Sequence, residues 1–246
     1  MLETVANVYT VFELGPVLSE SGFAKLFVVP THPEYVLRIQ EYTPDVMEEV
    51  RLGTRMMEAG LTPLTVAQYL DGSRHAMLTQ RYDMDLEHWF TVSTGDAQEC
   101  SLWTMRVCRL FREMAKIGLF CIDLKPANIV VNVDAGTSLV YAMKLIDFGG
   151  GLCWESTQLL GITLPWRAVY ATMLLVFSAS LKHSQPTIYR GPFKERIGKL
   201  LCVPETRSLV IHILGRPLLR RYWSNLFFSV PLVPFLSEFC GGDPSH

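Results

Sequence analysis

Polar and apolar residues alternate over short runs in the first third of the chain, a pattern typical of β-strands. Three runs, TVFELGPVL, AKLFVV and EYVLRIQ, lie within residues 9–40 and are separated by the turn-forming stretches SESGF and PTHP. Two further runs, TPLTVAQYL and RHAMLTQRY, flank a DGS turn. The pattern predicts five short antiparallel strands.

Between the third and fourth strands the spacing of apolar residues becomes helical. The segment TPDVMEEVRLGTRMMEAG has Thr43 as a candidate N-cap, Pro44 in its first turn and Gly60 at its end. We expect a helix of about four turns here. Its candidate buried positions are Val46, Val50, Met56 and Met57.

Beyond Tyr82 the pattern is mainly helical. SLWTMRVCRLFREMAKIG has Ser101 as a candidate N-cap, ends at Gly118 and carries apolar residues at 102, 103, 107, 110, 111 and 114. NIVVNV and LVYAMKLI then surround a DAGTS turn and predict a hairpin, and the chain from Arg167 onward is apolar and helix-rich. The pattern indicates an α+β protein, as one large domain or, in our preferred interpretation, two lobes sharing a cleft.

Composition narrows the class of protein. The 22 basic and 24 acidic side chains among 246 residues nearly cancel, which argues against nucleic acid or a membrane as a partner. Six scattered cysteines without a CxxC pair favour reduced thiols, and there is no secretory signal pattern and no apolar run long enough to span a bilayer. We therefore expect a folded, intracellular protein in the cytoplasm or nucleus.

Two polar motifs carry the candidate chemistry. CIDLKPANIVVN places Asp123, Lys125 and Asn128 between apolar runs, and LIDFGG follows at the end of the predicted hairpin with Asp147. This combination resembles the catalytic loop and metal-binding segment of the protein kinase superfamily, most closely over residues 102–150 and more weakly over 12–86. The resemblance implies a two-lobed protein-kinase-like fold, with an N-lobe at residues 1–82 (five-stranded sheet plus one helix) and a mostly helical C-lobe at 83–246.

The same resemblance implies a role for each polar residue. Asp123 would be the catalytic base that accepts the proton of the acceptor hydroxyl, and Lys125 would neutralise charge on the transferring phosphoryl group. Asn128 and Asp147 would hold Mg²⁺ ions on the phosphates of ATP. The implied activity is that of a Ser/Thr protein kinase.

In the first third, the resemblance assigns the nucleotide-binding residues. Arg38 stands where a lysine is expected, and the helix carboxylate that would pair with it is Glu49, or else Glu48. Thr79, Gln80 and Tyr82 would lie at the back of the nucleotide pocket and along the hinge. Small residues replace the expected glycines of the phosphate loop, and apolar side chains would sandwich the base: Ser19, Ser21 and Ala24 in the loop, and Leu18, Leu26, Val36 and Val130 around the base.

The chain also departs from the family pattern. Cys121 and Ile122 replace the usual His-Arg pair, which removes the receptor for a phosphorylated activation loop. Only about twenty residues separate Gly149 from the next helical run, and no A-P-E sequence is present. This minimal form is similar to the kinases of large viruses, which act in the host cell, and to those of bacterial effectors. A regulatory partner protein could complete the truncated activation segment. A pseudokinase-like scaffold and a small-molecule kinase remain alternatives.

Overall fold

The computed structural model describes residues 13–20, 24–71, 73–93, 95–148, 153–157, 161–184, 191–216 and 219. The fold is α+β, with an antiparallel β-sheet and, in these ranges, six α-helices. The chain divides into two compact units. The first comprises Met1–Asp83 with Lys144–Gly151, and the second comprises Met84–Met143 with Leu152–His246.

A five-stranded antiparallel sheet lies in the first unit, and four of the five predicted strands are confirmed. The bounds of the first are wrong: the strand is Val17–Glu20, which includes part of the predicted turn, residues 13–16 are not in a strand, and the start of the predicted run lies outside the described residues. The strands are β1 (Val17–Glu20), β2 (Ala24–Val28), β3 (Tyr35–Glu41), β4 (Thr65–Asp71) and β5 (Arg74–Gln80), in the order β1-β2-β3-β5-β4. On one face of this sheet Leu37 and Ile39 of β3 pack with Ala76 and Leu78 of β5. Because side chains alternate along a strand, Arg38 points to the opposite face.

Helix α1 (Pro44–Glu58) follows β3, and the predicted N-cap is confirmed because Thr43 Oγ1 accepts a hydrogen bond from the Val46 amide at 3.3 Å. The predicted buried face is wrong in part. Glu49, Leu52 and Met56 are the buried residues, whereas Val46, Val50 and Met57 are only half-buried. The apolar pattern misplaced the face because a carboxylate, that of Glu49, occupies one of its central positions.

Residues 144–148 belong to the first unit, although the resemblance assigns this stretch to the second lobe. The Leu145 amide donates to the Leu61 carbonyl at 2.9 Å, and Lys144 Nζ donates to the Gly60 carbonyl. These bonds attach the segment before Asp147 to the chain that follows α1.

The second unit is mostly helical. Its helices are α2 (Leu86–Val92), α3 (Ala97–Lys116), α4 (Trp166–Ser184), α5 (Gly191–Leu201) and α6 (Pro204–Leu214). The predicted N-cap of α3 at Ser101 is wrong, because Asp96 caps the helix by accepting from the Glu99 amide at 2.8 Å. The D-x-x-E spacing of Asp96 and Glu99 was the sequence feature that could have located this start.

Aromatic rings form the centre of the second unit. Trp103 of α3 lies 5.2 Å from Phe90 and 5.4 Å from Phe193 between ring centroids, and Phe177 of α4 lies 5.3 Å from Phe111. Rings at these separations contribute packing energy beyond their buried area. The core therefore holds α3 rigidly against α4 and α5, directly before the chain enters the CIDLKPAN motif.

Short strands flank that motif. A two-stranded sheet pairs β7 (Leu119–Cys121) with β10 (Cys153–Glu155), and a three-stranded sheet has the order β6 (Met84–Asp85), β8 (Ile129–Val133), β9 (Val140–Leu145). The predicted hairpin is confirmed by β8 and β9. In the turn between these two strands, Asp134 Oδ1 accepts hydrogen bonds from the backbone amides of Gly136 and Thr137 at 3.0 and 2.9 Å. Strand β10 was not predicted, since three residues are too few to show a period.

Of the helices within the described ranges, none combines the length and apolar character needed to cross a membrane.

Candidate functional site

The Asp123 loop is set in an almost fully buried stretch of chain. Leu119, Phe120, Cys121, Ile122 and Leu124 are each at most 1% exposed. Asp123 is 8% exposed among them. Burial of a carboxylate is costly unless hydrogen-bond donors surround it. The carboxylate at this position therefore requires hydrogen-bond donors close to it.

Two side chains of the same loop donate to the Asp123 carboxylate. Lys125 Nζ lies 2.9 Å from Oδ2 and 3.2 Å from Oδ1, and Asn128 Nδ2 lies 2.8 Å from Oδ2. A 3-10 turn at Pro126–Asn128 brings the amide back to the aspartate. The three residues that the sequence singled out are thus one hydrogen-bonded cluster in the second unit.

The Asn128 amide has a defined orientation. Its Nδ2 also donates to the Asp123 carbonyl at 2.9 Å, so both amide hydrogens have acceptors on Asp123. Since both partners are acceptors only, the nitrogen must face them and Oδ1 must face away. An amide oxygen held in this way is a suitable ligand for Mg²⁺.

Asp147 has an unusual backbone conformation. Its φ is +62°, and the only other non-glycine residue with positive φ in the described chain is Ser138. The neighbouring Phe148 is buried, and its ring lies 3.6 Å from where a Cβ at Gly53 would stand. The left-handed turn thus leaves the Asp147 carboxylate exposed while Phe148 packs on α1. Left-handed non-glycine residues concentrate at functional sites.

Arg38 and Glu49 form an ion pair between β3 and α1. Arg38 Nη1 lies 2.5 Å from Glu49 Oε1, and the Glu49 side chain is 6% exposed. Glu48, the alternative partner, instead binds Arg51 on the helix surface at 2.7 Å, and this hydrogen bond lowers the pKa of Glu48. The structure therefore selects Glu49 as the partner of Arg38.

The remaining predicted nucleotide-binding residues lie on several different elements and differ in exposure. Ser19 is exposed on β1, Ala24 is half-buried on β2, and Ser21 lies outside the described residues. Thr79 and Tyr82 are half-buried in the first unit, and Val130 is half-buried on β8 of the second. The backbone amide of Gln80 donates to the Leu64 carbonyl at 2.8 Å, so this backbone N–H is not available to a ligand.

An open groove of about 460 Å³ lies between α1 and β4 in the first unit. Met47 and Val66 line it on opposite sides, and His75 contributes to its lining. Arg38, Glu49 and Asp147 are absent from the lining. The groove is therefore separate from the residues to which the sequence assigned nucleotide binding.

His75 is a buried polar residue that sequence reasoning missed. It is 2% exposed, and its ring nitrogens lie 3.5 Å from Gln40 Nε2 and 3.4 Å from Gln68 Oε1. Burial, together with the positive charge of Arg38, lowers the pKa of His75 to about 4. No spacing in the sequence distinguishes this histidine from a surface residue.

No group of three or more His, Cys, Asp or Glu side chains able to hold a metal ion occurs in the parts of the chain described above. No protein-family model matches the chain, and no curated protein matches its sequence.

Proposed function

We propose that the protein is an ATP- and Mg²⁺-dependent phosphotransferase that phosphorylates Ser or Thr hydroxyls of proteins. The observation that carries the proposal is the buried Asp123 carboxylate with donors from both Lys125 and Asn128. A local loop that collects a carboxylate, an ammonium and an oriented amide has the groups that phosphoryl transfer requires.

Each group of the loop has a distinct task in this reaction. Asp123 accepts the proton of the acceptor hydroxyl as that oxygen attacks phosphorus. Lys125 has a side chain that is 44% exposed, so its ammonium can leave the aspartate and approach phosphate oxygens. Asn128 holds the aspartate in place through two hydrogen bonds. Positioning of this kind accounts for much of the rate enhancement in such reactions.

The residues fit a Mg²⁺ nucleotide better than a bare metal ion. Mg²⁺ prefers oxygen ligands and is usually held by one or two protein groups plus substrate phosphates. In the proposed reaction Asn128 Oδ1 and the exposed Asp147 carboxylate would be such ligands, and Arg38 would be the cation that binds the phosphates. Bound ATP with Mg²⁺ would supply the phosphoryl group and neutralise its developing charge.

Replacement of Asp123 by asparagine tests the proposal. The side chain keeps its size but loses the ability to accept a proton, so we expect incorporation of labelled phosphate from ATP to fall about 10²–10⁴-fold. The acceptors are a generic protein substrate and the protein itself.

Asp134→Asn is the matched control, because Asp134 is an exposed aspartate in the turn of the hairpin that follows the loop. That variant should keep full activity. Equal incorporation by wild type and Asp123→Asn would refute the catalytic role, and circular dichroism checks that both variants fold.

A scaffold that binds a partner without catalysis is the second candidate function. It is favoured by the bonded Gln80 amide and by the groove that lies apart from the predicted nucleotide-binding residues. Thermal unfolding separates the two functions, because a ligand that binds only the folded state raises the melting temperature. Millimolar ATP with Mg²⁺ should raise it for a phosphotransferase and leave it unchanged for the scaffold.

A further inference from the structure

Cys121 and Cys153 lie directly opposite each other on the antiparallel strands β7 and β10. Both are free thiols and both are buried, at 1% and 3% exposure. The two residues have no role in the proposed phosphoryl transfer. Their pairing brings together two oxidisable groups from positions far apart in the chain.

The positions of the hydrogen bonds between the two strands define the geometry of this pair. The Ser156 amide donates to the Gly118 carbonyl at 2.7 Å, just beyond the end of the ladder. Bonded and non-bonded pairs alternate in an antiparallel ladder, so Trp154 and Phe120 form a bonded pair. Cys153 and Cys121 are then a non-hydrogen-bonded pair.

Non-hydrogen-bonded pairs bring side chains closest together. Their Cα atoms are about 4.5 Å apart, which is within the range of about 4.4–6.8 Å that disulfides span. A hydrogen bond between the two thiols, with burial, raises the pKa of Cys153 well above its usual value. Burial and the neighbouring Cys121 thiol therefore favour the protonated form of Cys153 in the folded state.

We propose that Cys121 and Cys153 are a reversible redox modification site that closes to a disulfide under peroxide. One sulfur, as a thiolate, attacks the O–O bond of hydrogen peroxide, which releases hydroxide and leaves a sulfenic acid. The second thiolate attacks that sulfur, the S–O bond breaks, and a second hydroxide leaves. Two thiols lose two electrons in total, peroxide gains them, and the two thiol protons convert the hydroxides to water.

Oxidation requires the strands to separate first, since a buried, protonated thiol is a poor nucleophile. The β7–β10 sheet has two strands and three residue pairs, and sheets this small are only marginally stable. Local opening exposes both thiols to water and to peroxide. Closing of the strands then returns the two sulfurs to bonding distance.

The test is to treat the folded full-length protein with hydrogen peroxide, block remaining thiols with an alkylating agent, and digest it without reductant. Mass spectrometry should find the Cys121 and Cys153 peptides joined, and separated again by dithiothreitol. Exposed Cys202 is the internal control for oxidant reactivity. It should react faster, because it needs no strand opening.

Cys153→Ser provides the matched variant. It should lose the joined peptide while leaving Cys202 oxidation unchanged, and the oxidised wild type should melt several degrees higher than the reduced form because a loop of about 30 residues is closed. The proposal is overturned if Cys121 and Cys153 remain alkylatable after unfolding, or oxidise without joining, under conditions that fully oxidise Cys202. None of these readouts depends on phosphotransferase activity.

Discussion

Two cation–carboxylate pairs in this protein have the same chemistry but different origins. Arg38 and Glu49 come from a strand and a helix of the first unit, and their side chains are 26% and 6% exposed. Lys125 and Asp123 come from one loop of the second unit, two positions apart, with side chains 44% and 10% exposed. The first pair depends on tertiary packing, whereas the second is built locally.

This difference determines how each pair responds to perturbation. The Asp123 cluster is closed by hydrogen bonds within six residues, so it needs only the 3-10 turn and its buried flanks. The Arg38–Glu49 pair needs the register of β3 and the docking of α1 at the same time. We therefore expect the first pair to be lost whenever the first unit loosens, and the second to persist.

Lowering the pH should produce the largest difference in stability between the two regions, because His75 lies in the first unit. The pKa of His75 is lowered from 6.5 to about 4 in the folded protein, first by burial and then by Arg38. The unfolded chain binds a proton below pH 6.5 and the folded chain does not. The stabilising contribution is therefore complete above pH 6.5 and is lost as the pH falls from 6.5 towards 4.

The free energy of unfolding of the first unit should fall by about 3 kcal/mol over this pH range. Urea unfolding at several pH values measures it, and hydrogen exchange should show β3, β5 and α1 loosening before the Asp123 loop does. In His75→Gln this component of the pH dependence should be absent. An identical acid loss in that variant would show that another group is responsible.

Double-mutant cycles should rank the two ion pairs. Glu49→Leu leaves the Arg38 guanidinium half-buried beside an apolar side chain, so we expect a loss of about 1–3 kcal/mol in the free energy of unfolding. Arg38→Met combined with Glu49→Leu should recover much of it, because a well-packed apolar pair avoids desolvation of both charges.

The Lys125–Asp123 cycle should give a coupling energy of about 0–1 kcal/mol, since an ammonium that is 44% exposed remains largely hydrated. Both cycles are measured by urea unfolding. Equal coupling energies for the two pairs would contradict the distinction between a packing-dependent and a locally built pair.

The same distinction explains what could be predicted from sequence. Strands β2 to β5, α1 and the β8–β9 hairpin follow from periodicity and turn residues, which are local properties. The proximity of Asp123, Lys125 and Asn128 was also predictable, because six residues of loop leave little room for other arrangements. The prediction that Glu49 rather than Glu48 pairs with Arg38 is confirmed, although the pairing itself depends on the rotation of α1 about its axis against the sheet.

Features that join distant parts of the chain escaped prediction for the same reason. Strand β10 has only three residues, and its pairing with β7 depends on tertiary structure. The burial of His75 reflects the neighbours supplied by β3 and β4. The attachment of residues 144–148 to the first unit rests on backbone hydrogen bonding to residue 61 and a side-chain bond to residue 60, which no sequence pattern encodes.

The smallest predicted effect concerns Gly53, where the Phe148 ring rests on α1. Glycine inside a helix costs about 0.5–1 kcal/mol relative to alanine. A Cβ at this position would lie 3.6 Å from Phe148 Cδ2 and Cε2, an ordinary van der Waals distance. Gly53→Ala should therefore raise the free energy of unfolding by about 0.5–1 kcal/mol, as measured by urea unfolding.

Gly60→Ala is the matched control at the other end of the same segment. Gly60 has a φ of +68°, which an alanine adopts only with strain, so this change should destabilise by about 1 kcal/mol or more. Changes of opposite sign in the free energy of unfolding for the two substitutions would show that Phe148 packs on α1 without crowding. A destabilising Gly53→Ala would instead mean that the ring has no room for a methyl group, and that the Asp147 segment depends on glycine at that position.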